Sequence, residues 1–424
     1  NGNKEITLQV SNVNGTNNFV NEKNFDFDSS WSGLKRTLVS GATISSNGTL
    51  TTQNISITGK YYNLTIPQTS IEGKAFTGKI YVTNHSCSTS EPAYITLLKD
   101  YGGKDNITEL PDSAFANVTT ANDKGMYKKN DDLGTSYYYR GAVDNNWVKF
   151  GKEGTKDIYW RIIRINGDGS IRMIYSGTTA PTESTKVVMT GTGTQITVDN
   201  TNTFKFNSSN NNPSYVGYMF TEGQQHGNGT PSTIKTAIDN WYKTTTLETD
   251  ATTKELVSQD QIFCNDRSAT TSDSGTPGEI SGSMSTSTTY YYGAYVRLIT
   301  NKSPQLKCPT ASDKFTVNTS NGNGTLTYPV GLITADEVAM AGGVYNFRIT
   351  NKSYYLYTNE DYWSGSPRNF SSYRTGANEF YVFSLGNLDN DNVVNPDGAR
   401  PVVSLSSKAK LSGNGTYSNP YTVS

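Results

Sequence analysis

Apolar and polar side chains alternate in short runs along the first 90 residues. Ile6, Leu8 and Val10 alternate with polar neighbours, and turns rich in Gly, Asn and Ser separate this run from later ones. The later pairs are Ile55 and Ile57, Leu64 and Ile66, and Ile80 and Val82. A period of two is typical of strands with one buried face. The pattern predicts a small β-sandwich over residues 1–90, immunoglobulin-like or stalk-like.

A helix is predicted where this alternation stops. The segment SEPAYITLLKDYGG has Pro92 near its start and Gly102 just past its end. Proline is favoured in the first turn of a helix and glycine just after the last turn. We expect this helix to mark the join between domains, within a helical and polar connector over residues 91–124.

Two further segments predict helices by spacing. In PSTIKTAIDNWYKTTTL the apolar side chains fall on one helical face, and these are Ile234, Ala237, Ile238 and Trp241. In YPVGLITADEVAMAGG, Thr334 precedes Glu337 by three residues, which is the spacing of a capping box. A helix is therefore expected to begin at Thr334.

A β-hairpin is predicted in DIYWRIIRINGDGSIRMIYSG, after a strand segment GTSYYYRGAVDNNWVKF. Its turn, NGDG, places Gly167 and Gly169 where positive φ is expected. The core candidates here are Trp147, Trp160, Ile162, Ile165, Ile171 and Ile174. By contrast, residues 181–230 are rich in Thr, Asn and Gly, and the tract SATTSDSGTPGEISGSMSTSTT is low in complexity, so both are expected as loop excursions.

Composition narrows the classes of partner. The chain has 424 residues, enough for two or three domains, and its 36 basic and 37 acidic residues are interspersed. No basic stripe is available to follow a phosphate backbone or an anionic bilayer, which argues against nucleic acid and membrane surface as partners. No apolar run is long enough to span a bilayer. The 28 tyrosines suit either recognition surfaces or amphipathic sheets.

Three cysteines are too few for a disulfide scaffold. Cys264 and Cys308 lie in comparable contexts within one region, and we predict one disulfide between them, leaving Cys87 over. With only His85 and His226 in the chain, a zinc site or a Cys-His nucleophile lacks ligands and base. A disulfide implies an oxidising compartment. The start, NGNKEITLQV, has no Met and no apolar leader, so a mature or trimmed chain outside the cell is expected.

The segment GNLDNDNVVNPDGARP, residues 386–401, concentrates acids and amides. Asp389, Asp391 and Asp397 are candidate calcium ligands, but Val393 falls where an EF-hand needs an oxygen ligand and no Glu follows at the required distance. A calcium site of irregular spacing stays open. No phosphate loop, nucleophile elbow or HExxH motif occurs anywhere in the chain. These observations favour binding over catalysis, and no cofactor apart from possible calcium is expected.

The last third of the chain carries a resemblance. YWSGSP at residues 362–367, the strand FYVF at residues 380–383 and GARPVV at residues 398–403 together resemble the C-type lectin-like fold. They are most similar to the branch with formylglycine-generating-enzyme-like domains and the variable proteins of diversity-generating retroelements. A second resemblance, to uncharacterised surface or prepilin-like proteins of low-GC Gram-positive bacteria, is carried by GTSYYYRGAVDNNWVKFG, YWRIIRINGDGSIRMIYSGT, FCNDRS, NKSPQLKCP and ARPVVSLSSKAKLSGNGTYSNPYTV. The resemblance spans residues 125–424.

The resemblance implies a fold class that is mainly β with an α+β head: an N-terminal β-sandwich, then a C-type lectin-like domain over residues 125–424 with long loops and a few helices. Within that domain, residues 181–330 are expected as an insertion. The catalytic cysteines of formylglycine-generating enzymes do not carry over, because no Cys follows Cys308. The Glu-Pro-Asn and Trp-Asn-Asp motifs of animal C-type lectins are absent too.

The resemblance also implies where a ligand would bind. In the retroelement branch the varied positions lie between the Trp-Ser segment and the Arg-Pro strand, which here are RNFSSYRTGANEFY and GNLDNDNVVNPDGA. These segments are expected to be exposed recognition loops, although they also fit ordinary solvated loops. The candidate contact residues are Tyr373, Arg374, Asn378, Tyr381, Asn387, Asp389, Asn390, Asp391 and Asn392.

Three functions follow from these patterns. The first is an adhesin-like cell-surface protein that binds a glycan, or a protein of a host or neighbouring cell, through polar, Tyr-rich loops. The second is a structural subunit of a pilus-like filament, assembled when residues 5–10 or the C-terminal strand pair with the next subunit. The third is an enzyme of the formylglycine-generating type, which the missing cysteines disfavour.

Overall fold

The computed structural model describes residues 92–424, except Phe347, together with four strands among the first 90 residues. The chain divides into two compact units, Asn1–Ser90 and Glu91–Ser424. In the first unit, β1 (Lys4–Gln9) pairs with β3 (Lys35–Ala42), and β2 (Phe25–Asp26) pairs with β4 (Lys60–Tyr61), both antiparallel. The other strands predicted near residues 55–57, 64–66 and 80–82 lie outside the described residues, as does Cys87.

The fold is mainly β, with 30% strand and 19% helix. The strands of the second unit are β5 (Lys124–Asp131), β6 (Gly134–Gly141), β7 (Trp147–Glu153), β8 (Lys156–Ile165), β9 (Ile171–Tyr175), β10 (Thr203–Lys205), β11 (Met219–Phe220), β12 (Thr230–Pro231), β13 (Phe263–Cys264), β14 (Ala269–Thr270), β15 (Tyr290–Tyr292), β16 (Lys314–Phe315), β17 (Tyr362–Ser371), β18 (Gly376–Val382), β19 (Leu388–Asn392), β20 (Pro396–Gly398), β21 (Val402–Leu405), β22 (Leu411–Ser412) and β23 (Tyr421–Val423). The α-helices are α1 (Ala93–Lys99), α2 (Thr233–Tyr242), α3 (Thr246–Thr249), α4 (Ala251–Glu255), α5 (Gly293–Tyr295) and α6 (Ala335–Ala341), with a π-helix at Val296–Asn301.

An eight-stranded sheet combines strands β5–β9, from residues 124–175, with strands β21–β23, from residues 402–423. Its order is β21-β9-β8-β7-β23-β22, with β6 paired to β8 and β5 paired to β6. The predicted β8–β9 hairpin is confirmed, and Gly169 has φ of +83°. Gly167 was wrongly expected at positive φ. It is required for space instead, because a Cβ there would lie 2.3 Å from the backbone nitrogen of Gly134.

The C-terminal strand β23 lies inside this sheet. It pairs parallel with β7 on one side and antiparallel with β22 on the other. Both of its backbone edges therefore have partners within the chain.

A seven-stranded sheet is formed by strands that lie between residues 203 and 398. Its order is β10-β20-β17-β15-β14, and β17 also pairs with β18, which pairs with β19. The long strand β17 thus lies at the centre, with the hairpin partner β18 on one side. Two two-stranded sheets, β11–β12 and β13–β16, complete the described strands.

The predicted helices are present, and α2 buries the predicted face. Pro92 caps α1, and the buried side of α2 includes Ile238 and Trp241. At α6, the Thr334 hydroxyl accepts from the Glu337 backbone N–H at 3.1 Å, and a Glu337 carboxylate oxygen accepts from the Thr334 N–H at 3.0 Å. This is the predicted capping box.

Residues 181–330 contribute to the core of the second unit. Residues 181–230 were expected as a loop excursion with few large apolar side chains, but Ile196, Phe206 and Val216 are fully buried. Strands β10 and β15, from the same region, belong to the seven-stranded sheet. Sparse apolar residues can still anchor a polar segment when each one is buried.

The predicted disulfide joins Cys264 and Cys308, with Cα atoms 5.6 Å apart. It links β13 to the loop before β16, and these two strands also pair with each other. The described residues contain no helix with the length and apolarity needed to cross a membrane.

Candidate functional site

The turn between β17 and β18 projects an aromatic side chain into solvent. Ser371 pairs with Gly376 at the end of the hairpin, and residues 372–375 form the turn, named here the hairpin tip. Tyr373 is 88% exposed, and no other large hydrophobic side chain in the described part of the chain is classed as exposed. Arg374 beside it is also exposed. Both residues were predicted as contact residues, and the structure leaves both accessible.

Amide side chains brace the hairpin tip from below. Asn210 donates from Nδ2 to the Thr375 carbonyl at 3.2 Å and to Asn392 Oδ1 at 3.0 Å. Asn392 Nδ2 also donates to the Thr375 carbonyl. Gly376 has φ of +67°, and a Cβ there would lie 2.2 Å from the carbonyl oxygen of Asn210. The backbone beneath Tyr373 is therefore fixed by hydrogen bonds and close packing.

Three of the other predicted contact residues are buried. Asn378, Tyr381 and Asn387 have little or no exposed surface, so the expectation that they face a ligand as exposed loop residues is wrong. Asn378 lies within β18, where its Nδ2 donates to the Gly376 carbonyl at 2.8 Å. Asn387 lies at the turn into β19 and donates to the Leu388 carbonyl at 3.3 Å.

The segment expected as one long exposed loop, residues 386–401, is half strand. Leu388–Asn392 form β19 and Pro396–Gly398 form β20. Polar residues are tolerated in β19 because only one of its edges pairs along its full length, with β18, and its side chains are half-buried apart from Leu388. The remaining predicted contact residues, from Asp389 to Asn392, thus project from a sheet.

The free edge of β19 is capped by its own aspartates. The Leu388 N–H points away from β18, to the Val344 carbonyl at 2.9 Å, so the N–H groups of Asn390 and Asn392 point the same way. Asp389 Oδ1 accepts from the Asn390 N–H at 2.8 Å, and Asp391 Oδ1 accepts from the Asn392 N–H at 2.7 Å. These donors are unavailable to an added strand.

Four carboxylates surround Tyr381 on one face of this sheet. Tyr381 lies directly opposite Asp389, and Asp391 follows on the same face of β19. Asp397 on β20 and Asp361, just before β17, complete the group. Burial raises the pKa of Tyr381, and all four aspartates raise it further. We name Asp361, Asp389, Asp391 and Asp397 the acidic face.

Asp397 is the most buried member of the acidic face. It is 7% exposed. Burial, then the charges of Asp391 and Asp361, and a side-chain hydrogen bond with Asp391 raise its pKa to about 7. Like charges held close together at reduced solvation favour the protonated form.

Arg368 acts on the acidic face through its charge, which lowers the pKa of Asp389. Its guanidinium, however, donates to Asn369 Oδ1 at 2.6 Å and to the Tyr345 hydroxyl at 2.8 Å.

The proposed calcium ligands are members of this face, but they do not form a metal-binding group. Across the described ranges, no three His, Cys, Asp or Glu side chains are grouped as ligands for one metal ion. Asp389 and Asp391 each commit one oxygen to a backbone N–H. Calcium at Asp389, Asp391 and Asp397 stays a prediction.

Sequence reasoning missed the buried ionic networks. Arg267 donates to Asp313 Oδ1 at 2.9 Å from Nε and at 2.6 Å from Nη2, and its backbone N–H donates to Oδ2 at 2.7 Å, with both residues fully buried. His226 Nδ1 lies 2.9 Å from Asp313 Oδ2, and its Nε2 lies 3.1 Å from Glu279 Oε1. A second network joins Arg164 and Arg172 to Glu337. No local spacing signals these pairs, because their partners are far apart in the chain.

Comparison with known proteins supplies no relative: no family model, no curated protein and no solved structure matches this chain.

Proposed function

We propose that this chain is an extracellular, cell-surface binding protein that recognises a glycan or a protein through the hairpin tip of a C-type lectin-like head. The observation that carries the proposal is the exposure of Tyr373, at 88%. Tyrosine offers a rigid ring and a polar hydroxyl at low cost in side-chain entropy, which is why it is enriched in recognition loops.

The bracing of the tip supports the same proposal. Asn210 and Asn392 fix the Thr375 carbonyl, so little backbone freedom remains to be lost when a ligand binds. Ordering a loop on binding weakens affinity, and a preorganised loop avoids that loss. Arg374, next to Tyr373, adds a cationic hydrogen-bond donor.

The disulfide supports an extracellular location. Cys264 and Cys308 are joined within the second unit, and structural disulfides persist in oxidising compartments. The chain's near-neutral charge, −1 by formal count, suits recognition by aromatic and polar contacts rather than by a strong field.

The lectin-like assignment is supported by the positions of the motifs that carry the resemblance. YWSGSP begins the central strand β17, and the Arg-Pro pair directly precedes β21. Arg400 is fully buried and donates to the carbonyls of Tyr175 and Leu356, each at 3.0 Å. Arg400 thus links the start of β21 to the end of β9 and to the segment around Leu356.

The filament alternative has weaker support from the same structure. Strand β23 already pairs on both edges, and the outward N–H groups of β19 are capped by Asp389 and Asp391. Strand exchange would have to displace contacts that already exist. An enzyme of the formylglycine-generating type is less well supported still, because no Cys follows Cys308.

The test is to probe glycan and protein arrays with the full chain, the Tyr373→Ala variant and the Lys408→Ala variant. Lys408 is exposed in a separate turn, so its truncation is a matched surface control. We expect ligands that bind the wild type and Lys408→Ala but not Tyr373→Ala. Array ligands that bind Tyr373→Ala as strongly as the wild type would contradict the proposal.

A further inference from the structure

Three tyrosines and one arginine form a continuous row of packed side chains. Tyr291 on β15 and Tyr295 on α5 have ring centroids 4.7 Å apart. The Arg368 guanidinium, from β17, lies over the rings of Tyr295 and Tyr345, 5.1 Å and 5.3 Å from their centroids. All four side chains are half-buried, so part of each is in contact with solvent. We name Tyr291, Tyr295, Tyr345 and Arg368 the tyrosine shelf.

The tyrosine shelf adjoins the hairpin tip. Thr289, two residues before Tyr291, has its Oγ1 3.1 Å from Ser372 Oγ and accepts from the Ser372 N–H at 3.4 Å. Strand β15 pairs with β17, the strand that leads into the tip. Three residues of β17 separate Arg368 from Ser371, about 10 Å along the strand. One extended ligand can therefore contact both the tip and the shelf.

Hydrogen bonds hold the arginine in place between the two rings. Arg368 Nη1 donates to Asn369 Oδ1 at 2.6 Å, and Nη2 donates to the Tyr345 hydroxyl at 2.8 Å. The Tyr345 hydroxyl donates in turn to Asn390 Oδ1, on β19, at 3.2 Å. A guanidinium stacked on aromatic rings and fixed by hydrogen bonds is already oriented, so little side-chain entropy is lost when a ligand binds.

The arginine keeps hydrogen-bonding capacity for a ligand. A guanidinium has five N–H donors, two of them on each Nη, and the bonds to Asn369 and Tyr345 use one on each. The charge of Arg368 acts on Asp389, and that of Asp273 acts on Tyr295, so the shelf is not strongly cationic. Two Nη donors in one plane match the two oxygens of a carboxylate. A ligand with a single carboxylate therefore suits the shelf better than a polyanion.

The backbone after Tyr295 has an uncommon form. A π-helix covers Val296–Asn301 and begins directly after Tyr295. Within it, Arg297 donates to Asp266 at 2.5 Å from Nη1 and to Asp336 at 2.9 Å from Nε, which anchors the segment. π-Helices are rare, and single turns of them occur frequently at functional sites. This backbone supports a function for the shelf independently of its side-chain contacts.

Size and polarity favour a saccharide over a protein at the shelf. A stable protein interface buries about 800 Å² on each partner, and four half-buried side chains offer only part of that area. Hydroxyl and amide groups of Thr289, Ser372 and Asn390 flank the rings. Rings with polar neighbours provide both the apolar contact and the hydrogen bonds that a polyhydroxylated ligand needs.

We propose that the tyrosine shelf binds a carboxylated saccharide, with the carboxylate on the remaining Nη N–H groups of Arg368 and the sugar against Tyr291 and Tyr295. This inference rests on the proposed binding function, because it specifies the class of glycan and a second contact for it. Tyr373 at the hairpin tip is the first contact.

The test is a glycan array on which sialic acid and glucuronic acid glycans are each printed beside their methyl esters. The ester keeps every ring and hydroxyl and removes only the charge, so the ratio of acid to ester binding measures recognition of the carboxylate. The full chain is compared with Arg368→Gln and with Lys408→Gln, which removes one exposed cation from a separate turn. Binding to a printed protein array measures the competing class of partner.

We expect the wild type and Lys408→Gln to bind at least one acid about tenfold or more tightly than its ester. Arg368→Gln should bind that acid and its ester equally. A merely structural role of Arg368 would weaken both and leave their ratio unchanged. If Arg368→Gln does not fold by circular dichroism, Arg368→Lys serves, because it keeps the charge but loses the paired donors, and the ratio should fall.

Three results would overturn the inference. The first is a wild type that binds no carboxylated glycan, or binds acids and esters equally. The second is a folded Arg368 variant that keeps the wild-type ratio. The third is binding to printed proteins that depends on Arg368, because the shelf would then be a protein contact.

Failure here is distinguishable from failure of the proposed function. Array binding that depends on Tyr373 but shows no preference for acids over esters removes the shelf from the account and leaves the tip. Acid-selective binding that depends on Arg368 and survives in Tyr373→Ala overturns the tip and retains the shelf.

Discussion

Tyr381 on β18 and Asp389 on β19 lie directly opposite each other in an antiparallel pair. This register places Asp389 and Asp391 on the same face as Tyr381. A shift of one residue would send both aspartates to the opposite face, where Phe380 packs against Tyr345. The acidic face is therefore a consequence of sheet register, and substitutions can test each part separately.

Replacing Asp397 should change how stability depends on pH. The folded pKa of Asp397 is about 7, above the ordinary 3.8, so between about pH 4 and pH 7 the folded state holds a proton that the unfolded state has lost. The stabilising contribution of the protonated Asp397 side chain is fully present below about pH 4 and is lost as the pH rises through about 7.

We therefore expect Asp397→Asn to gain stability relative to the wild type across that window, on the order of 2 kcal/mol. Urea unfolding at a series of pH values measures this difference. If the free energies of unfolding of the two proteins differ by the same amount at every pH, the raised pKa of Asp397 is contradicted, and the carboxyl is ionised and solvated like an exposed aspartate.

Glu379 is a second buried acid, without any hydrogen-bond partner in the described structure. It is fully buried, neither carboxyl oxygen is paired, and burial raises its pKa well above 4.5, while the charge of Arg267 acts in the opposite direction. We expect Glu379→Met, of similar volume, to stabilise the chain by about 1–3 kcal/mol at pH 8.

The gain should shrink toward pH 4, because the glutamate is then neutral in both the folded and unfolded states. Urea unfolding at both pH values gives the comparison, and Glu337→Met is the contrasting variant. Glu337 is paired with two arginines, so its removal should destabilise the protein. A loss of stability in Glu379→Met at pH 8 would indicate that the Glu379 carboxylate has a stabilising partner.

The disulfide should contribute substantially to stability. Cys264 and Cys308 are 44 residues apart in sequence, and closing a loop of that length stabilises the folded state by about 4 kcal/mol in the chain-entropy treatment. Cys264→Ser/Cys308→Ser should therefore lower the urea midpoint, and a reducing agent should lower that of the wild type only. If the reducing agent lowers the urea midpoint of the variant as much as that of the wild type, the Cys264–Cys308 disulfide is not the cause of the sensitivity to reduction.

Local signals in the sequence predicted the local elements well. The NGDG turn and the Thr334–Glu337 capping box depend on contacts between residues two to four apart, and both are present. The pairing of Cys264 with Cys308 was also predictable, because few cysteines leave few alternatives.

Non-local pairing was beyond the reach of the sequence. The segment at residues 386–401 is as polar as a loop, yet β19 is a strand because β18 supplies its hydrogen bonds. Similarly, Arg161, Arg267 and Arg400 are fully buried. Composition places arginine at the surface, and only the tertiary fold brings Asp313 to Arg267 or backbone carbonyls to Arg161.

The same limits apply to the candidate site. Tyr373 and Arg374 were predictable as exposed, since the hairpin tip is short and polar. Asp397 was grouped with Asp389 and Asp391 from the sequence, but the participation of Asp361 in the acidic face was not predictable, because β20 reaches β17 only through the parallel contact of Gly398 with Tyr362.

The most direct test of the central claim is the dissociation constant of an array-selected ligand for wild type and Tyr373→Ala, measured by biolayer interferometry. Because Tyr373 is 88% exposed, the substitution should leave the free energy of unfolding within about 0.5 kcal/mol of wild type, as checked by urea unfolding. The account predicts binding weakened by about tenfold or more, with Lys408→Ala unchanged. An unchanged dissociation constant in Tyr373→Ala would contradict recognition through the hairpin tip.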